Sequence, residues 1–141
     1  MEFKMNMNCT KEAFYSFLCN SLKEEFKVKE IHAGIAIKKD MLSKMGKKIS
    51  CELKLVNLRE NIGYKIEINS LYGKNTLEYE MLDSNGKCFT LKYIEKYITD
   101  SKMKKYNNML LEFLFGYFLI KNKRKKLKQI DEYLVEKEKN G

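Results

Sequence analysis

The sequence predicts an α+β fold: an antiparallel sheet of about six strands, in the order β-α-β5-α, packed on a long C-terminal helix. Three observations predict it. From Ile35 to Asp100 apolar and polar residues alternate with a period of two almost throughout, which marks strands with one buried face. The turn signals that interrupt this stretch are too short to hold crossover helices, so neighbouring strands are antiparallel. Only the segment from Ser101 onward is long and apolar enough to cover such a sheet.

Taken in order, Phe3, Met5 and Met7 alternate with Lys4, Asn6 and Asn8 and form a short first strand. Thr10 offers an N-cap oxygen, Glu12 lies in the first turn, and Phe14, Phe17, Leu18, Leu22 and Phe26 recur at helical spacing. An amphipathic helix therefore runs from Thr10 to about Lys27. Val28 to Ala33 carries no clear period, and Gly34 marks a break. Ile35 and Ile37 open the next strand, and Ile49, Cys51, Leu53 and Leu55 mark the one after it. Tyr64, Ile66 and Ile68 follow, then Leu77, Tyr79 and Met81, then Phe89, Leu91 and Tyr93 in a run from Lys87 to about Ile98. Turn signals fall at Met45 to Lys47, Asn61 to Gly63, Tyr72 to Asn75 and Asp83 to Gly86. Asn85-Gly86 is the strongest, because both central positions of a tight hairpin turn need positive φ.

A chain of 141 residues has the length of a single domain, read as residues 1–141, and 44% hydrophobic with 33% charged residues is a globular composition. The formal charge of +9 is unevenly spread. Between Ser101 and Ile130 stand nine basic residues and one acidic residue, Glu112; the remainder is close to neutral. An anionic partner would meet that element. Cys9, Cys19, Cys51 and Cys88 are far apart, and His32 is the only histidine. This is neither a zinc pattern nor a disulfide framework, so reduced thiols in a reducing cytoplasm are expected, with no metal and no cofactor. The first residues lack the apolar core of a signal peptide. The apolar run from Met109 to Ile120 makes roughly 18 Å of helix, well short of the ~30 Å hydrocarbon core of a bilayer.

The order of elements resembles a small family of uncharacterised bacterial proteins in the START-like (SRPBCC), helix-grip superfamily. The residues that carry the resemblance are the aromatic start of the first helix from Ala13 to Leu18, the strand pattern around Lys48 to Asn69, and the closing run from Leu110 to Phe118. A Lys/Arg run and Leu127 to Ile130 follow that run. The likeness covers nearly the whole chain, although the loop from Val28 to Gly34 is shorter than the family's insertion there. It implies a curved antiparallel sheet gripping the C-terminal helix, often around a cavity for an apolar ligand.

In that arrangement the inward residues include Ile66, Tyr79, Leu91 and Tyr93 from the sheet, facing Tyr106, Leu110, Phe113 and Tyr117 from the helix. An apolar pocket with a few tyrosine hydroxyls suits a small lipophilic ligand; the alternative is that these large side chains simply fill the core. At 100° per residue, Leu110, Phe113, Tyr117 and Ile120 make the core face, while Leu111, Phe115, Phe118 and Leu119 fall on the far side. A helix that packs only one face on a sheet has no reason to be apolar all round. The far face predicts a second contact: the first helix, a second subunit in a homodimer, or a membrane surface.

Lys121, Lys123, Arg124, Lys125 and Lys126 could extend that patch toward anionic lipid or phosphates, or form a solvated turn. No nucleic-acid motif accompanies them, so nucleic acid is not the expected partner. There is no nucleophile elbow, P-loop or dinucleotide fingerprint, and no catalytic residue is assigned. His32 reads as a surface or core histidine. Glu95 interrupts the aromatic face of the last strand: either it points inward, where burial raises its pKa, or a bulge turns it outward, which is the expected arrangement. The function expected from the sequence is non-enzymatic binding of a small apolar ligand between sheet and helix, with homodimerisation or peripheral membrane association as the alternative.

Overall fold

The structure is a computed structural model and describes residues 2–42, 48–70, 73–85, 88–98 and 120–140. Six strands, β1 (Glu2–Met7), β2 (Ala36–Leu42), β3 (Lys48–Arg59), β4 (Gly63–Ser70), β5 (Gly73–Asn85) and β6 (Cys88–Ile98), form one curved sheet. Helix α1 (Lys11–Phe26) follows β1, and α2 (Ile120–Asn140) closes the described chain. Every strand pair is antiparallel, and the order is β1-β6-β5-β4-β3-β2. The sheet is a meander whose last strand takes β1 onto its free edge. Tyr106, Leu110, Phe113 and Tyr117 on the expected core face, and Leu111, Phe115, Phe118 and Leu119 on the far face, lie outside the described residues.

Alternation sets which face of each strand is buried. Phe3 and Met7 of β1, Cys51, Leu53 and Leu55 of β3, Tyr64 and Ile66 of β4, Tyr79 and Met81 of β5, and Phe89, Leu91 and Tyr93 of β6 are buried. The opposite face fixes the register by charge: Lys38 is paired with Glu52, Lys54 with Glu67, Lys65 with Glu78 and Glu80 with Lys92. A slip of one residue would put the apolar set in water, and a slip of two would break these pairs.

Helix α1 begins where Thr10 caps it, Oγ1 accepting from the Ala13 amide at 3.1 Å. Phe14, Leu18, Leu22 and Phe26, each four residues from the last, bury one stripe on the sheet. The helix stops at Lys27, which takes the left-handed conformation (φ 55°), while Val28 N–H reaches back to the Lys23 carbonyl at 3.0 Å.

At both ends β5 extends into residues that carry turn signals in the sequence. Asn85 pairs with Cys88, so Asp83 to Asn85 of the turn signal belong to β5; a register shift between Leu82 and Ser84 carries the strand on. Gly73 pairs with Ser70 and belongs to β5, which brings Asn75 into the strand and buries it. The β3–β4 turn falls where Asn61 to Gly63 predicts, with Asn61 at φ 55° and Gly63 at φ 151°. A Cβ on Gly63 would overlap the Tyr79 carbonyl oxygen of the neighbouring strand, so the close approach of β4 and β5 needs a glycine there.

Helix α2 lies against β1 and α1. Its inward stripe is Lys123, Leu127, Asp131, Leu134 and Glu138, in which apolar and charged residues alternate. Leu127, Asp131 and Leu134 are buried. Asp131 Oδ1 accepts from the amides of Asn8 (2.9 Å) and Cys9 (2.8 Å), and Oδ2 also accepts from Asn8 (3.0 Å). Glu138 Oε1 accepts from the Thr10 amide and hydroxyl at 3.2 and 3.0 Å. Two carboxylates thus fasten the distal half of α2 to the loop between β1 and α1.

Candidate functional site

The face of the sheet beneath the helices is built in stripes, one residue per strand. Register places Phe3, Tyr93, Tyr79 and Tyr64 side by side across β1, β6, β5 and β4. Their ring centroids step across the sheet at 5.1, 5.1 and 5.2 Å, tilted at each step, within the usual range for favourable aromatic pairs. Phe14 of α1 closes one side, 6.4 Å from Tyr79 and 5.7 Å from Phe89. The stripe on one side holds Leu91 and Met81; the stripe on the other holds Glu95, Leu77, Ile66 and Leu55.

Charge enters this apolar floor at two points. Glu95 is 4% exposed and faces inward. The expectation that a bulge turns it outward is therefore corrected: β6 pairs with β5 without irregularity at Glu95, and the shift in that pair lies at Leu82 and Ser84. The period-two alternation of Phe89, Leu91 and Tyr93 simply continues through it. Burial raises the Glu95 carboxyl to about 7, against a smaller opposing effect of Lys123.

Lys123 reaches in from α2. Its Nζ stands 5.0 Å from the Tyr93 ring centroid and 5.2 Å from that of Tyr79, within cation–π range. Burial lowers the Lys123 ammonium to about 8, with Glu95 acting the other way. Next to it, the Arg124 guanidinium lies 4.7 Å from the Phe3 ring centroid. One ammonium, one carboxylate and a row of rings thus share a single surface. Burial also raises the Tyr79 and Tyr64 hydroxyls, so both remain protonated at ordinary pH. Tyr93 is fully buried, and its hydroxyl has no hydrogen-bond partner among the described residues; the same holds for Asn75 Oδ1.

The structure brings together part of the set read from sequence. Ile66, Tyr79, Leu91 and Tyr93 all lie buried on the floor. Of the basic run, Arg124, Lys125 and Lys126 are exposed. Lys123 parts from that group and turns inward, because it stands four residues before Leu127 on the buried stripe. The side chain of Lys121 lies outside the described residues. Glu95 as an inward group, Asn75 and Asp131 were not among the sequence candidates. The helical stripe Lys123, Leu127, Asp131 was legible by counting back and forward in fours from Leu127. His32 is exposed, its Nδ1 3.1 Å from the Ala33 carbonyl.

A hollow of about 450 Å³ lies between the helices and is lined by Phe17 and Asn20 of α1 and by Tyr133 and Lys137 of α2, among others. Tyr133 there is 58% exposed. Among the described residues no helix is long and apolar enough to cross a membrane, and no group of three or more His, Cys, Asp or Glu is placed to hold a metal ion.

A curved antiparallel sheet gripping a C-terminal helix, with ring-lined inner strands, is the START-like helix-grip fold. Comparison with solved structures agrees. The chain is similar to protein Ms6760 of Mycobacterium smegmatis (12% identity over 94% of this chain and 88% of that one, TM-score 0.61). It is also similar to a conserved protein of Geobacillus kaustophilus (17%, 96% and 94%, TM-score 0.59) and to Ara h 8.0201 (13%, 96% and 97%, TM-score 0.59). At these identities the likeness is one of fold. By sequence, residues 1–116 match the family described as domain of unknown function DUF3284, and the chain belongs to that family. Lys123 and Asp131 fall beyond the matched stretch. A comparison with curated proteins returned no match.

Proposed function

We propose that this protein binds a small, largely apolar molecule, without catalysing its conversion, on the floor between the sheet and the C-terminal helix. The ring row Phe3, Tyr93, Tyr79 and Tyr64 carries the reading. It presents a broad apolar surface, and polar groups are set into it at few points: Lys123, Glu95 and the Tyr93 hydroxyl. Apolar walls with a small number of placed polar groups are how proteins hold such ligands. A core needed only for stability gains little from burying a glutamate, because replacing buried ionic groups by apolar ones is often neutral or stabilising. The protein is read as cytoplasmic, in keeping with four cysteines that form no disulfide among the described residues.

Native mass spectrometry of protein purified from cells tests the reading. A co-purifying apolar mass, released on denaturation, is the expected result. Repeated preparations that carry no such mass, and that take none up when offered lipophilic extracts, would overturn it.

A further inference from the structure

The polar groups on the floor point to one kind of ligand. Lys123 is half-buried, and its ammonium rests near the faces of Tyr93 and Tyr79, at 5.0 and 5.2 Å from their centroids. An ammonium has three N–H donors, enough to meet a ligand oxygen while it keeps its electrostatic interaction with Glu95. Tyr93 adds a second donor, a fully buried hydroxyl with no hydrogen-bond partner among the described residues. Buried hydroxyls are ordinarily hydrogen-bonded, so one that is not calls for a partner the described residues do not supply. Leu91 lies beside Tyr93 on β6 and Leu77 beside Tyr79 on β5, so this pair of donors is bordered by apolar side chains except where Glu95 follows Tyr93 on β6.

The sign of the surrounding charge selects among polar heads. Arg124, Lys125, Lys126 and Lys128 are four of the five residues after Lys123. The first acidic residue of α2, Asp131, is occupied by the Asn8 and Cys9 amides. An anion approaching Lys123 is drawn in by this turn of helix. A cation would be repelled by it and would have to displace Lys123 from both rings.

We propose that the ligand is an apolar molecule ending in a single carboxylate, which Lys123 and the Tyr93 hydroxyl bind while its apolar body lies along the ring row. The inference rests on the binding reading above and adds the head group to it. Glu95 is the internal counter-charge of Lys123 in the absence of ligand, and the incoming carboxylate competes with it. Glu95 thereby sets how selective the site is.

The test compares three probes of equal chain length, dodecanoate, dodecan-1-ol and dodecylamine, titrated into the full chain below their micelle concentrations and followed by calorimetry. Wild type should bind dodecanoate about 10-fold tighter than the alcohol, the equivalent of one charge-assisted hydrogen bond, and the amine most weakly. Lys123→Met should abolish the preference while leaving the alcohol's affinity in place. Tyr93→Phe, which removes only the hydroxyl, should reduce it, and Glu95→Gln should enlarge it. If Lys123→Met does not fold, the opposite shifts in Tyr93→Phe and Glu95→Gln carry the test. An alcohol bound as tightly as the carboxylate, or an amine bound more tightly, overturns the head-group assignment while leaving apolar binding standing. Binding of none of the three overturns both.

Discussion

Replacing Asp131 by alanine should be among the most damaging single changes in α2, and its size follows from geometry. The carboxylate is 4% exposed and receives two backbone amides, Asn8 at 2.9 Å and Cys9 at 2.8 Å on Oδ1, with Asn8 also 3.0 Å from Oδ2. Hydrogen bonds to a charged group contribute about 1.5–3 kcal/mol each, and a buried donor left unpaired costs about 1–3 kcal/mol. Cys9 is fully buried, so its amide in particular has no water to turn to. Together these put the loss at about 3–5 kcal/mol, out of a total that for most domains is about 5–15 kcal/mol. With a urea m-value of about 1.5 kcal/mol/M, the midpoint of unfolding should fall by about 2–3 M with the slope unchanged. Asp131→Asn keeps an oxygen where Oδ1 receives both amides but turns an NH2 group toward Asn8, so its loss should be intermediate. Glu138→Ala, at an exposed position with bonds of 3.0 and 3.2 Å, should shift the midpoint by about 0.5 M or less, in line with about 0.5 kcal/mol for an exposed bond. A midpoint for Asp131→Ala within about 0.5 M of wild type would refute the reasoning, since it would mean that these amides find other partners at no cost.

Three further outcomes are expected. Gly63→Ala should lower stability by well over the ~1 kcal/mol typical of a substitution, because the new Cβ meets the Tyr79 carbonyl and Gly63 is at φ 151°; a thermal melt unchanged from wild type would contradict the register. Glu95 takes up a proton more readily folded (about 7) than at its ordinary value of 4.5, so the folded state binds the extra proton and stability should fall as pH rises from about 4.5 to 7. The ceiling on that fall is about 3 kcal/mol, and it should be absent in urea titrations of Glu95→Gln. Lys123 holds the Glu95 carboxyl down, so Lys123→Met should move its titration, followed by carboxyl carbon-13 shifts, above about 7; a downward move would show that the two groups do not face each other.

The sheet was legible because alternation is a strong signal when one face is buried. Phe89, Leu91 and Tyr93 could be placed inward from the sequence, and so could Ile66 and Tyr79. The failures share a physical cause: they are charged or polar residues on buried faces, where residue type and position disagree. Glu95 keeps the phase of its strand, yet residue type argued that a glutamate should leave the core by a bulge. The strand does not bend, because its pairing with β5 is regular at Leu77 and burial can be met by a raised pKa and a nearby ammonium. Lys123 was grouped with its basic neighbours by composition, although helical spacing sets it with Leu127. Asn75 was assigned to a turn because glycine and asparagine cluster there, whereas β5 already begins at Gly73. Where period and residue type conflict here, the period decides orientation.

The inward stripe of α2 also explains why one cation of a dense basic run, and not its neighbours, reaches the rings. Successive helical residues differ by about 100° in direction, so a rotation of one residue would carry Lys123 out and bring another of the run inward. That rotation is resisted at a distance. Asp131 lies eight residues on, about 12 Å along the axis at 1.5 Å per residue, and is held by backbone amides whose positions β1 and α1 fix. Glu138, a further seven residues on, is held at the cap of α1 by Thr10. Leu127 and Leu134 fill the intervals between these points. Two carboxylates far from the rings thus set the angle at which Lys123 meets Tyr79 and Tyr93. On the proposed binding reading the cation is positioned by folding, so the entropy of placing a long lysine side chain would be borne by folding and not by binding.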